Sequence, residues 1–422
     1  IASAKICFFL SAAENIIILA GISPAEIRES LSPLIDLEAV KGIKLALHAA
    51  SMRIFGGYYG AVKKEIESLI NAKAGNIATV KAFGRQYVRN CIKNMRGLAE
   101  ALPVSGLFGK FKNVPAIVLA SGPSLESSMD AVRNARESVF IIASDSALAV
   151  CKAFGFRPDF VVSVDPQAYI SEHLLGFWEE PLRIVTSISA WPCSLKASPG
   201  AWKIYCSLNS HPFAQLIDEL MPGTIGSVNS RTGSVAGDAL LFASRCGFSP
   251  VACAGFDFGF SSGVIYPRGT AYQRRYAEIF MNRLRVPETF NMDYIMKSSN
   301  ALRENGRFTR RSFLQFQKNI NDVTAKLSGT VLFHINPPNA PMAGSKAAPC
   351  SWLDNREKKD KAALLAEAEL NIRRAGENAA FIKLVEIAAR DEIFRELIVN
   401  SCGERDETRI ALYKKFFRQM TM

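Results

Sequence analysis

The chain of 422 residues is 49% hydrophobic and 21% charged, a balance that excludes a disordered or fibrous polypeptide and allows a sizeable core in two or three domains. Its formal charge of +12 at pH 7 favours anionic partners such as nucleotides, acidic sugars, nucleic acid or an anionic membrane surface, or else reflects a well-solvated surface. Nine cysteines without a close pair exclude a zinc knuckle, and their odd number excludes a complete disulfide framework, so free thiols in a cytoplasmic protein are expected.

Residues 1–21 are strongly apolar, yet Lys5, Glu14 and Asn15 interrupt them, and neither a membrane helix nor a secretory leader is expected there. From 23 to 97 the pattern is largely helical. Ser23-Pro24-Ala25-Glu26 is a capping box with proline at the first helical position, and Ser32-Pro33 breaks the run. Lys81, Arg85, Arg89, Lys93 and Arg96 fall near helical spacing, as a solvated helix face would place them.

From 114 to about 337 the chain changes character, with short β-branched runs separated by helix-like stretches. Strands are expected at 114–120, 139–143, 160–164, 183–188, 203–207, 250–254 and 331–335, and helices at 126–136, 146–154, 170–177, 213–220 and 235–246. Residues 336–351, rich in Pro, Gly, Ala and Ser, read as an ordered loop or linker. Beyond them, 352–422 favour helix, with Leu364, Leu365, Ala368 and Ile372 recurring on one face. The expected fold is α/β, a Rossmann-like, mostly parallel sheet over 98–338 flanked by helical regions over 1–97 and 339–422.

Open parallel sheets bind ligands outside the carboxyl ends of their strands, and polar residues collect at four of these ends. Ser121-Gly122-Pro123-Ser124 follows the first strand, where glycine allows close backbone approach, proline pre-sets a turn, and Ser124 offers a cap to a helix whose free N–H groups favour a phosphate. Ser144-Asp145-Ser146 follows the second strand, Asp165-Pro166-Gln167 the third, and Gly255-Phe256-Asp257 a later one. Taken singly, each aspartate also fits a helix cap or a turn. Thr232-Gly233-Ser234 opens the helix at 235–246 and suits a phosphate or carboxylate, or a plain cap, while Tyr266 and Arg268 lie in a loop able to cover a ligand. The P-loop and three-glycine dinucleotide fingerprints are absent, and His48, His173, His211 and His334 are not spaced for a metal site or triad, so no metal is assigned.

Pro115-Ala116-Ile117-Val118-Leu119-Ala120-Ser121-Gly122-Pro123-Ser124-Leu125, Ser144-Asp145-Ser146-Ala147-Leu148 and Pro158-Asp159-Phe160-Val161-Val162-Ser163-Val164-Asp165-Pro166-Gln167 together resemble one family. It groups archaeal MptE-like 6-hydroxymethylpterin diphosphokinases with bacterial motility-associated factor (Maf) glycosyltransferases, which are similar to bacterial sialyltransferases. The resemblance extends to Arg89-Asn90-Cys91-Ile92-Lys93-Asn94, Thr232-Gly233-Ser234 and Gly255-Phe256-Asp257, roughly the central half of the chain.

The Maf branch implies transfer of a nonulosonic, sialic-acid-like sugar from a CMP-sugar to Ser or Thr of flagellin, with no obligatory cofactor. The pterin branch implies diphosphate transfer from ATP with Mg2+, held by Asp145, Asp165 and Asp257; a third alternative is a non-enzymatic flagellin-binding chaperone. The helical flanks suit a protein acceptor and favour glycosyl transfer. Under that resemblance Ser121, Gly122, Pro123, Ser124, Ser144, Asp145, Ser146 and Gln167 bind the nucleotide and its phosphate, while Thr232, Gly233, Ser234, Tyr266 and Arg268 bind the sugar. Asp165 or Asp257 serves as catalytic base. Sialyltransferase-like enzymes commonly place a histidine near the acceptor, and the loop after Asp257 has none.

Overall fold

The computed structural model describes residues 19–32, 34–35, 43–192, 201–209, 212–279, 287–297, 301–304, 307–327, 329–335, 342–354 and 356–390. Contacts group the chain into two units, Ile1–Arg85 and Gln86–Met422. In the first, α1 (Pro24–Leu31) begins with the expected capping box: Ser23 N donates to Glu26 Oε2 at 2.6 Å and Glu26 N to Ser23 Oγ at 3.4 Å. A short α2 (Ala49–Ile54) follows, and α3 (Gly56–Glu100) contributes its last turns to the second unit.

In those turns Val88, Cys91, Met95 and Leu98 are buried at helical spacing while Arg89, Lys93 and Arg96 are exposed, so these three form a solvated face; the side chain of Lys81 lies outside the described residues. Two polar positions break the apolar side. Asn90 Nδ2 donates to the carbonyls of Pro166 and Ser189, at 2.9 and 3.1 Å, and Asn94 Nδ2 donates to those of Ile188 and Ala190, both at 2.9 Å. Placed four residues apart, these amides fasten the helix to two loops at the carboxyl end of the sheet.

The sheet has nine parallel strands: β1 (Leu102–Pro103), β2 (Ala116–Leu119), β3 (Phe140–Ser144), β4 (Phe160–Ser163), β5 (Leu182–Ser187), β6 (Trp202–Ser207), β7 (Val251–Ala254), β10 (Leu332–Ile335) and β11 (Ser345–Ala348). A separate antiparallel hairpin is made by β8 (Ala301–Glu304) and β9 (Arg307–Arg310). The sheet order is β1-β6-β5-β4-β3-β2-β7-β10-β11. From β2 the chain builds outward to β6, then returns to place β7 on the other side of β2. That reversal opens a crevice at the carboxyl ends of β2 and β7.

Both sheet faces are covered, which explains the nearly continuous apolar strands. Val118, Phe140 and Ile142 face a core shared with α8 (Val235–Cys246), whereas Ile117, Leu119 and Ile141 face α4 (Leu125–Asn134) and α5 (Asp145–Ala153). The remaining helices of this unit are α6 (Ile170–Leu174), α7 (Pro212–Leu220), α9 (Ala271–Ile279), α10 (Pro287–Lys297), α11 (Arg311–Thr324), α12 (Lys361–Glu369) and α13 (Ala379–Arg390).

Two expectations need correction. The loop over 336–351 contains β11, which pairs with β10 as an edge strand that a Ser-Lys-Ala-Ala sequence does not announce by β-propensity. The helix expected over 170–177 ends at Leu174, before Gly176, which adopts φ +82°. Among the described residues no helix is long and apolar enough to cross a membrane. Cys91, Cys151, Cys206, Cys246 and Cys253 are free and buried, while Cys7, Cys193 and Cys402 lie outside the described residues.

Helix α12 is clamped to the sheet by Glu369, whose carboxylate accepts from Arg183 Nε at 3.1 Å and also from Lys203 Nζ and Tyr205 OH. Tyr205 is a fully buried core residue, so its hydroxyl depends on this partner. Glu369→Ala is expected to lower the unfolding free energy by about 1–3 kcal/mol, since it leaves that hydroxyl unpaired; urea unfolding measures it, and an unchanged midpoint would refute the clamp.

Candidate functional site

At the crevice the carboxyl ends of β2 and β7 touch. Gly122 N donates to the Gly255 carbonyl at 2.9 Å, and a Cβ on Gly122 would lie 2.0 Å from Asp257 Oδ2 and 2.3 Å from that carbonyl. Only glycine permits this approach.

The Ser121–Ser124 turn therefore holds an anion from the chain itself. Asp257 Oδ2 accepts from Ser124 N at 3.1 Å and from Ser124 Oγ at 2.8 Å, and Ser261 Oγ donates to its Oδ1 at 2.6 Å. Ser124 stands at the N-cap of α4 without a side-chain capping bond, contrary to the expected cap, because its hydroxyl is turned to Asp257. The carboxylate thus satisfies the helix N-terminus where a ligand phosphate was expected. Asp257 is 1% exposed, and burial raises its pKa. The hairpin fixes it from behind: Arg307 Nη1 donates to the Asp257 carbonyl, and Thr309 Oγ1 donates to that of Phe258 at 2.6 Å, where the backbone adopts φ +47°.

The ends of β3 and β4 bring two further carboxylates to the same crevice. Ser146 Oγ donates to Ser121 Oγ at 2.8 Å, and Ser144 Oγ lies 3.2 Å from Ser146 Oγ, joining the first two junctions by hydroxyls. Asp145 is 3% exposed; its Oδ1 accepts from Ser146 N at 2.7 Å and its Oδ2 from Ser163 Oγ at 3.0 Å. Burial, reinforced by the charge of Asp165, pushes the Asp145 carboxyl up to about 7, against the pull of those two bonds. Asp165 accepts from Gln167 N at 2.9 Å and from Tyr169 OH at 2.7 Å. Gln86 and Asn90 hold the Pro166 carbonyl beside it, at 2.8 and 2.9 Å, so the end of α3 sets where Asp165 sits.

At the start of α8 the expected trio divides. Thr232 is fully buried, with its Oγ1 2.8 Å from Ser230 Oγ, and it serves the loop's own structure. Gly233, at φ +78°, and Ser234 face the crevice together with Val235 and Ala236. Ser234 makes no side-chain capping bond, and no described residue accepts from the N–H groups of Val235 or Ala236. This helix N-terminus is open toward the crevice, where unpaired N–H groups favour an anion.

The segment between β7 and β10 forms a cap. Tyr266 stacks on Tyr272 of α9 with ring centroids 4.5 Å apart, Tyr272 meets Tyr169 with centroids 6.0 Å apart, and Tyr169 donates to Asp165 at 2.7 Å. Arg268 does not join them. It is exposed and pairs with Glu126 of α4, which sets it on the outer surface rather than over the ligand.

These elements enclose a cavity of about 280 Å³ whose walls include Ser121, Gly122, Pro123, Ser144, Asp145, Ser146, Asp165, Gly233, Ser234, Asp257 and Tyr266. Ser124, Gln167, Thr232 and Arg268 do not line it, and among the described residues no Lys or Arg does. His173 does, although its sequence spacing suits neither a metal site nor a triad. It lies four residues after Tyr169, on the helical turn that follows the Asp165 loop, and that spacing was the signal available. Burial, then the charge of Arg274, lowers its pKa to about 4, so the ring is neutral. Among the described residues no three His, Cys, Asp or Glu side chains converge on a metal-sized site. Magnesium held jointly by Asp145, Asp165 and Asp257 does not fit this arrangement; one or two carboxylates with ligand phosphates would be the remaining way to hold it.

Residues 89–263 match the family described as 6-hydroxymethylpterin diphosphokinase MptE-like. Two uncharacterised proteins of Treponema pallidum (strain Nichols) are similar: one is 39% identical over 93 residues, 21% of this chain and 41% of its own length. The other is 26% identical over 226 residues, 53% of this chain and 48% of its own length. The solved structure of a Maf glycosyltransferase from Magnetospirillum magneticum AMB-1 superposes with a TM-score of 0.59 at 14% identity, covering 90% of this chain and 55% of that one. The chain thus spans about half the length of the proteins it matches.

Proposed function

The chain carries an MptE-like domain and has the fold of a Maf glycosyltransferase, and from that premise we propose that it transfers a nonulosonic sugar from a CMP-sugar to Ser or Thr of flagellin. What supports the reading is the switch-point cavity itself, walled by the strand-end carboxylates Asp145, Asp165 and Asp257 and by the uncapped start of α8, with burial raising the Asp145 carboxyl toward the working pH. A general base is most effective when its pKa lies near the working pH.

In this scheme the N–H groups of Val235 and Ala236 and the Ser234 hydroxyl hold the donor phosphate, with Ser121, Ser144 and Ser146 as further donors. Asp145 takes the proton of the acceptor hydroxyl as its oxygen bonds to the anomeric carbon, and the bond from that carbon to the phosphate oxygen breaks with its electron pair leaving on CMP. Fixed N–H dipoles stabilise the charge growing on the phosphate. Asp165 tunes Asp145, and Asp257 positions the Ser121–Ser124 turn. Buried free thiols support a cytoplasmic setting.

The matched family's description favours one other reading, diphosphate transfer from ATP to a hydroxymethylpterin with Mg2+. Incubation with a CMP-nonulosonic donor and flagellin, or with ATP, Mg2+ and hydroxymethylpterin, separates the two. CMP release with a matching mass gain on flagellin is expected; pterin diphosphate formed without sugar transfer would overturn the proposal. Silence with both substrate sets, together with flagellin binding, would leave the chaperone.

A further inference from the structure

We propose that Phe316 is the wall against which the donor's transferred sugar packs, so that the site prefers the loaded donor to free CMP. The inference rests on the reading that the start of α8 holds the donor phosphate.

Most aromatic rings of the cavity wall are engaged with their neighbours. Tyr266 and Tyr272 stack on each other, and Tyr169 donates to Asp165. Phe256 and Phe258 pack into the main core, and Phe313 lies in the apolar cluster of the cap, its centroid 5.4 Å from that of Phe260. Phe316 is different. It lines the cavity half-buried and belongs to no apolar cluster among the described residues, where the one ring it meets is Phe313, at 6.4 Å. A phenyl ring left partly uncovered in a cavity wall is stabilised by an apolar ligand surface laid on it.

Gly233 fixes where along the ligand that ring stands. A Cβ on Gly233 would lie 2.9 Å from Phe316 Cε1 and 3.2 Å from its Cδ1, so the ring rests on the glycine that directly precedes Ser234 and Val235. The seat is firm. Asn319 Nδ2 donates to the Thr232 carbonyl at 3.2 Å, Arg307 Nη2 donates to Gln317 Oε1 at 3.0 Å, and Ile320 is fully buried, which ties α11 to the α8 loop, the hairpin and the core.

In a CMP-sugar the phosphate is bonded on one side to the anomeric carbon and on the other to the ribose, with the base a full ribose away. A phosphate on the N–H groups of Val235 and Ala236 therefore brings a sugar, not the base, beside Phe316. The ribose hydroxyls suit Asp165 and the strand-end serines, which leaves the transferred sugar for the apolar ring. Its C–H face packs on the phenyl ring, whose electron-rich face also favours the positive charge that grows at the anomeric carbon as CMP leaves with the bond's electron pair.

Equilibrium binding of CMP and of a CMP-nonulosonic sugar to the full chain, Phe316→Ala and Phe316→Leu tests this, with thermal unfolding confirming that each variant folds. Wild type is expected to bind the CMP-sugar about tenfold more tightly than CMP. Phe316→Ala should bring the CMP-sugar down to the level of CMP and leave CMP unchanged. Phe316→Leu, which keeps apolar bulk without a flat ring, should lose most of the margin and keeps the test decisive if the alanine variant fails to fold. Equal binding of the two ligands by wild type, or a margin that survives the substitutions, would overturn the assignment while leaving nucleotide binding intact. A loss shared equally by CMP and the CMP-sugar would place the ribose or base on Phe316 and overturn it too. Absence of binding of either ligand by wild type would overturn the donor reading as well.

Discussion

Asp145→Asn is expected to make the folded chain more stable at pH 8 and, in the proposed reaction, to cut transfer by about 10²–10⁴-fold. The two effects share one cause. Asp145 is buried beside Asp165, so its carboxyl keeps its proton to about pH 7 when folded but only to the ordinary carboxyl range when unfolded. Between those values the folded state binds more protons, and stability falls as pH rises; above pH 7 the full cost of a buried charge is present.

Asparagine carries no charge, and its amide retains an acceptor for Ser146 N and a polar group for Ser163 Oγ. The gain at pH 8 is therefore at most about 4 kcal/mol, from a displacement of about three pKa units, and it vanishes near pH 3 where the aspartate is neutral in both states. Urea unfolding of both proteins at pH 3 and pH 8 measures this. The rate of CMP release should rise through about pH 7 in the wild type and stay low and flat in the variant. An unchanged rate in Asp145→Asn would transfer the base role to Asp165.

Gly122→Ala is expected to cost about 3 kcal/mol or more, because the added methyl meets Asp257 Oδ2 at 2.0 Å and the Gly255 carbonyl at 2.3 Å. Neither neighbour yields easily. Asp257 is held by Ser124 and Ser261, and the Gly255 carbonyl belongs to the junction that joins the two halves of the sheet. Asp257→Ala in the same background removes only the first clash, so it should recover part of the loss. Gly155→Ala is the control: its φ of +76° brings backbone strain but no atom lies within 4 Å, and a loss of about 1 kcal/mol is expected. Equal losses at Gly122 and Gly155 would show that the close approach contributes nothing.

The alternation of apolar strands with polar strand ends made the sheet and its crevice legible, because each signal spans only a few neighbouring residues. Ser121, Asp145, Asp165 and Asp257 meet there because parallel strands deliver their carboxyl ends to one side. The partners of those residues were not legible. Arg268 follows a loop rich in turn residues and looked like a clamp on a ligand, but its partner is Glu126, which precedes it by 142 residues. His173 offered only its spacing from Tyr169, and its place in the cavity depends on the cap supplied by α9. Asn90 and Asn94 interrupt an otherwise apolar helix side, and their use becomes visible only when the β4 and β5 loops present carbonyls to them.

By itself the sequence determined that 114–254 builds a parallel α/β sheet and that Ser121-Gly122-Pro123-Ser124 turns from a strand into a helix, since hydrophobic period and turn chemistry are properties of adjacent residues. Tertiary structure alone decided what occupies that turn. Gly122 and Gly255 approach closely enough to bring Asp257 onto the α4 N-terminus, so the chain fills its own anion site there and leaves the start of α8 without a side-chain cap. The reason is physical: a helix N-terminus binds whichever carboxylate or phosphate is nearest, and distance between residues 133 positions apart is set by the fold.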